Sequence, residues 1–408
     1  MQTNKKQITS NTLYTIAGAL VLNGVLQLIV YPRLTARMGT ADIGVVLYIM
    51  AFVNILGPSI GQAMNNSRLV LRRDLDVTNG DYNLSILLFG AAGVAVSLVI
   101  MRGTLAESSH GAGLLLSFLL SAVLILVTIY RYYGDVEYRL SLKYRNYFIY
   151  YLICSAGYLA GYVLYLVSGN WFLIFLLGEC AALVYVTANG RTFRPAANRS
   201  GLFPTVLRRG AVLTLSYFVT NLTLNIDRLY LQHALGSESV TIYYVVSLIG
   251  KTLVLFIAPI NTIMISYLTK GKQKTGRTQF LKLSLAGIVV SAVFWLLCQI
   301  GTPLFIRLFY PDLAQASAPL VTIVNLTQIL AMLSAYLFII VLTFTSERWQ
   351  LGLQTAHLCI LMILIVIMTP RGGLYGFSAA VLTANCIRIG AVLILGLAKA
   401  PKEKGLSR

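Results

Sequence analysis

The sequence predicts an all-α polytopic membrane protein, with about twelve transmembrane helices in two six-helix lobes related by a parallel pseudo-two-fold repeat. Three observations predict it. Of 408 residues, 57% are hydrophobic and 11% charged, and the mean hydropathy is +0.77. A soluble domain runs nearer half apolar and a quarter charged, and a disordered chain lacks the apolar residues that dominate here. Apolar runs of the length needed to cross about 30 Å of hydrocarbon recur along the whole chain. Positive charge alternates between rich and poor connectors, as in a chain threaded repeatedly through a bilayer.

The runs lie near 12–31, 43–63, 83–101, 111–130, 147–168 and 170–190, then 210–232, 240–268, 281–301, 318–345, 351–369 and 374–398. The first follows Lys5 and Lys6 but is too long for a signal peptide, and it carries Asn23 and Gln27, so it is retained. The second contains Pro58, and the fifth contains GYLAG at 157–161, a small-x-x-x-small pattern for close helix contact. After the sixth comes RTFRPAANRSGLFPTVLRR at 191–209, with two prolines and five cations. That stretch is the clearest boundary in the chain. It divides a lobe of residues 1–190 from a lobe of residues 210–408, with 191–209 as a basic cytoplasmic linker. The remaining connectors are too short for a folded soluble domain.

The net charge is +19. On a soluble domain it would suggest nucleic acid, but its distribution argues otherwise. With the N-terminus inside, 24 of the 32 Lys and Arg fall in cytoplasmic connectors, five outside, and three within the apolar runs. Topology therefore accounts for the excess. The expectation is a plasma-membrane protein in contact with membrane lipids, both termini cytoplasmic, with no nucleic-acid partner.

The halves show a faint internal repeat. LTARMGTADIG at 34–44 and LQHALGSESVT at 231–241 align Leu34 with Leu231 and Gly39 with Gly236, each pair after the first helix of its half. Parallel repeats are a transporter architecture, with substrate held between the lobes. Pro58 and Pro259 occupy corresponding second helices and are expected to act as hinges, since a mid-helix proline frees a carbonyl and bends the helix.

Charges inside a membrane usually face a wet cavity or a partner. Lys251, Arg388 and Arg228 outnumber Glu179 and Asp227 in these runs, so the expected cavity is cationic and its cargo anionic. Asn221, Asn225 and Arg228 form one helical stripe; Tyr244, Ser247 and Lys251 form another; Asn385 stands three residues before Arg388. These residues are expected to bind substrate. Glu179 and Asp227 are candidates for coupling to H+ or Na+, with Lys251 an alternative partner for Glu179. No catalytic, metal or cofactor site is expected. The five cysteines and three histidines are scattered, and GPSIG at 57–61 lies in an apolar helix rather than at a nucleophile elbow.

Two stretches carry a family resemblance. NTLYTIAGALVLNGVLQLIVYPRLTARMGTADIGVV near the N-terminus and NIDRLYLQHALGSESVTIYYVVSLIG at 225–250 resemble the bacterial O-antigen-type flippases, the polysaccharide-export branch of the multidrug/oligosaccharidyl-lipid/polysaccharide (MOP) superfamily. Arg33, Asp227, Arg228 and Gly236 fall on that family's pattern, whereas Thr241 and Ile242 depart from a glycine common before the tyrosine. The resemblance implies a non-enzymatic transporter in the bacterial inner membrane. Its cargo would be an undecaprenyl-diphosphate-linked oligosaccharide, flipped to the outer leaflet by alternating access for O-antigen or capsule assembly. Polysaccharide polymerase or glycosyltransferases would be its associates. The alternatives are a multidrug and toxin extrusion type exporter, or a membrane polysaccharide polymerase.

Overall fold

A backbone in hydrocarbon must satisfy its own N–H and C=O groups, and within one segment only a helix does so. The computed structural model describes residues 5–71, 77–108, 113–252, 276–345 and 347–400, and the regular structure among them is entirely helical. The first helix, α1, spans 5–38; α2 is Thr40–Leu71 and α3 Asn79–Ser108. Leu114–Gly134 continues past a turn at Asp135 into Val136–Ser141, together α4; α5 is Tyr144–Ser168 and α6 Phe172–Asn189. Then come α7 (Phe203–Ala234), α8 (described over 237–252), α9 (Arg277–Phe309) and α10 (Pro311–Leu342). The run Glu347–Lys399 breaks at Gly373 (φ 54°, ψ −136°), giving α11 before it and α12 after it.

Each of the twelve sequence runs falls on one of these helices, the second half of 240–268 lying outside the described residues. Among the described residues nine helices are long and apolar enough to cross a membrane, with α11 and α12 counted together. The helix α7 is not among them, because Asn221, Asn225 and Asp227 dilute its apolar run. Several helices exceed the apolar runs that announce them. The helix α9, for example, has 33 residues. Polar and charged residues at the ends extend the helix beyond the hydrocarbon without interrupting its hydrogen bonds.

The chain divides into two units, Met1–Leu229 and Tyr230–Arg408. In the first, α2 is the enclosed helix, burying Ile43, Val46, Leu47, Tyr48 and Ile49. Apolar side chains on α3 and α4, such as Val96, Val99, Leu115 and Leu119, point outward. That outer face is what a lipid-facing helix requires. In the second unit Phe280, Leu337, Ile340, Val341 and Val392 make one core between α9, α10 and α12.

Small residues set the tightest approaches, as GYLAG predicts. A methyl group on Gly157 would stand 2.6 Å from the Cα of Gly178, and one on Gly161 would stand 2.6 Å from the Cα of Ile174. Backbone lies opposite backbone, so no rotamer change can make room. Gly161→Ala should therefore lower stability by about 1–3 kcal/mol, the usual cost of overpacking. Thermal unfolding in detergent reads it, and an unchanged midpoint would contradict the close contact of α5 with α6.

The described glycines with positive φ reveal the repeat more fully than the sequence does. Gly39 (φ 87°) and Gly236 (φ 86°) both follow the first helix of their half. Gly169 (φ 72°) separates α5 from α6, and Gly373 (φ 54°) separates α11 from α12, the fifth and sixth helices of their halves. Gly39, with ψ 169°, sits in a region essentially closed to side-chain-bearing residues. Both halves thus turn at equivalent places by the same backbone device.

The basic stretch after α6 is tied to the first unit. Asp81 accepts from Ser200 N (3.0 Å), Ser200 Oγ (2.6 Å) and Thr78 Oγ1 (2.9 Å). The carboxylate of Glu137 accepts from the backbone N–H groups of Arg191 and Thr192, both at 3.0 Å. Arg68 donates to Tyr133 Oη and Asn79 Oδ1, both at 2.5 Å. The segment is held from its first residues to the start of α7.

Candidate functional site

The polar stripe on α7 folds largely onto its own helix. Asn225 Nδ2 donates to Asn221 O (2.9 Å), and Asn221 Nδ2 donates to Tyr217 O (2.8 Å) and to Ser59 Oγ (3.2 Å). Ser59 lies in a π-helical stretch of α2, Gly57–Gln62, which also contains Pro58. Proline and wider-pitched turns are recognised causes of helix bending, and π-turns often occur at functional sites. Pro259 lies outside the described residues. Asp227 is buried and Arg228 half-buried, within electrostatic reach of the buried Tyr31.

Glu179 on α6 is buried and fully engaged. Arg131 Nε meets Glu179 Oε2 at 2.6 Å, Arg131 Nη2 donates to Oε1 (3.3 Å), and Tyr158 Oη donates to Oε1 (2.5 Å). Within the first unit its cation is Arg131. One turn further along α4 a second buried carboxylate, Asp135, accepts from Asn65 and from Tyr147 Oη (3.1 Å), with Arg139 Nε 4.0 Å away. Sequence reasoning placed Arg131 in a connector, because the apolar run stops at Tyr130. The signal it lacked is that α4 stays helical through Gly134, which carries Arg131 round to the inner face.

In the second unit Tyr244 and Ser247 are buried, Ser247 Oγ donating to Tyr244 O (3.0 Å), and Lys251 is half-buried on the same helix. Asn385 is spent on packing: its Nδ2 donates to Thr327 O of α10 (3.0 Å). That bond fixes the height of Arg388, one turn along α12. Arg388 is half-buried, and its buried Nε has no hydrogen-bond partner. No carboxylate pairs with it among the described residues. His357, which sequence reasoning set aside, is buried beside it. Among the described residues no cluster of His, Cys, Asp or Glu could hold a metal, and the five cysteines are free thiols.

No protein-family model matches the chain, and no curated protein matches it in sequence. Solved structures do. A lipid II flippase, MurJ, in an inward closed conformation is similar over 96% of this chain and 87% of its own, with TM-score 0.70 and 15% identity. An inward-facing multidrug resistance MATE family transporter of the MOP superfamily covers 95% and 93% with TM-score 0.61 and 13% identity. A MATE structure in the bent conformation covers 96% and 94%, with TM-score 0.59 and 14% identity. The chain shares the fold of these transporters. It is a multi-pass membrane fold, and the likeness extends over both repeats of the chain. Identities this low speak to the path of the backbone, so the role of each side chain rests on its own chemistry.

Proposed function

We propose that the chain flips undecaprenyl-diphosphate-linked oligosaccharide units from the cytoplasmic to the outer leaflet of a bacterial plasma membrane, by alternating access, for cell-surface polysaccharide assembly. The fold shared with a lipid II flippase supports it. One observation carries the charge preference: Arg388, half-buried in the second unit, has no carboxylate partner among the described residues. An uncompensated guanidinium in a membrane is costly, and an anionic cargo offsets that cost. Under this reading Lys251, Arg228, Tyr244, Asn221 and Asn225 complete the substrate path, and Pro58 and Pro259 bend as it opens. The cation-rich connectors and both termini face the cytoplasm. Coupling to H+ or Na+ would fall to Asp227 or Glu179, and at Glu179 a free cation would have to displace Arg131. Polymerase or glycosyltransferases would stand on either side of the step.

A deletion strain tests it. Lipid-linked sugar should accumulate in the cytoplasmic leaflet while surface glycan disappears. A normal leaflet distribution would overturn the reading. The MATE likeness supports a second reading, a small-molecule exporter, which drug hypersensitivity with intact surface glycan would favour.

A further inference from the structure

The helices α11 and α12 form a hairpin about Gly373. His357 lies sixteen residues before that turn and Arg388 fifteen after it. At about 1.5 Å per residue both sit roughly 23 Å from the turn, at one depth on facing arms. His357 is hydrogen-bonded to the backbone of Ala384, one turn before Arg388, and lies within electrostatic reach of the guanidinium. It is only 6% exposed. Its Nδ1 has no hydrogen-bond partner, and neither has Arg388 Nε. Two buried polar atoms left unmatched, on side chains within electrostatic reach of each other, are an arrangement that folding alone does not reward.

The surroundings say what is missing. No Asp or Glu occurs anywhere over 348–402, which covers nearly all of both arms. The helix α10, packed against the hairpin, has one charged residue, Asp312 in its first turn, roughly 22 Å along the helix from the Thr327 that Asn385 bonds, and its one tyrosine, Tyr336, donates to Leu283 O. From α9 come Arg277 and Lys282 near its start and Arg307 near its end, with Cys298 between. Tyr230 and Tyr243 pack on Phe377, close to the turn, and Lys251 and Tyr244 lie on α8. No acidic residue over 348–402 supplies negative charge to the pair.

We infer that Arg388 and His357 form an anion site for a phosphate-type group, in which protonation of His357 tightens the grip and loss of that proton releases it. The ring's Nδ1 becomes a donor only as imidazolium, so the second contact exists only in the protonated state. Binding and protonation are then reciprocal: an anion held by Arg388 favours the imidazolium, and the imidazolium favours the anion. The inference rests on the proposed cargo for the identity of the phosphate.

The test uses the full chain in lipid nanodiscs, titrated with inorganic pyrophosphate and, separately, with a polyprenyl diphosphate at pH 5.5 and 8.0. The wild type should bind at least tenfold tighter at the lower pH than His357→Gln does, and the two should agree within about twofold at the higher pH. The probe's own titration is common to both proteins, so their difference isolates the imidazole. Arg388→Gln should lose binding at both pH values. Binding of both probes assigns the site to the phosphate group itself, and binding of the lipid form alone assigns it to a membrane headgroup. If His357→Gln keeps the wild-type pH dependence, the switch is wrong while the cargo reading stands. If Arg388→Gln binds normally, the site is not there. A His110→Gln/His233→Gln chain keeps His357 as its one imidazole and guards against misfolding of the His357 variant. Its histidine NMR titration curve should move to higher pH on adding pyrophosphate, and an unmoved curve overturns the inference.

Discussion

Replacing Lys251 and Arg388 together by glutamine is expected to abolish surface glycan while the protein still accumulates in the membrane. Glutamine keeps much of the reach and hydrogen-bonding capacity of both side chains and removes only the charge. A diphosphate that leaves water gives up strong hydration, and charge-assisted contacts are what replace it. At about 1.5–3 kcal/mol per charged hydrogen bond, two lost contacts weaken cargo binding by roughly two to four orders of magnitude. Membrane level by immunoblot separates transport from insertion. Arg307→Gln is the control, because Arg307 is an exposed cation at the end of α9. It should leave export unchanged. Full export by the double variant would remove both residues from the cargo path.

The sequence reading succeeded where the controlling property runs along one dimension. Apolar run length is such a property, and so is the break at Arg371–Gly373 that separates α11 from α12. Gly39 and Gly236 could be paired because each sits in a short recognisable connector. Gly169 and Gly373 could not, because their spacing is 204 residues against 197 for the first pair, and no flanking identity marks them. Side-chain partners were less accessible. Asn221 and Asn225 present the pattern of a cavity stripe, yet each gives a bond to its own helix, a competition that spacing cannot resolve. The sequence shows that Glu179 needs a partner. Which cation serves depends on the rotation of α4 against α6, a packing outcome.

That packing outcome carries the other large effect. Glu179→Ala should lower stability by about 3–5 kcal/mol, since it leaves the guanidinium of Arg131 buried without its counter-charge. Burial is what makes the loss large. Both side chains are enclosed, at 6% and 4% exposure, and the carboxylate also takes the hydroxyl of Tyr158 at 2.5 Å. An exposed pair of the same geometry would contribute no more than about 1 kcal/mol. Removing both charges at once should behave differently. Arg131→Met with Glu179→Leu replaces a desolvated pair by apolar side chains of similar size, and such exchanges are often neutral or stabilising. The thermal midpoints of the wild type, the two single variants and the double variant in detergent form a closed cycle. Strong coupling, with the double variant near the wild type, is expected. Simple additivity would mean that the two residues do not act as a pair. The same double variant also addresses transport. If it folds and exports glycan, the carboxylate of Glu179 is not needed to carry H+ or Na+, and the pair serves to hold α4 against α6.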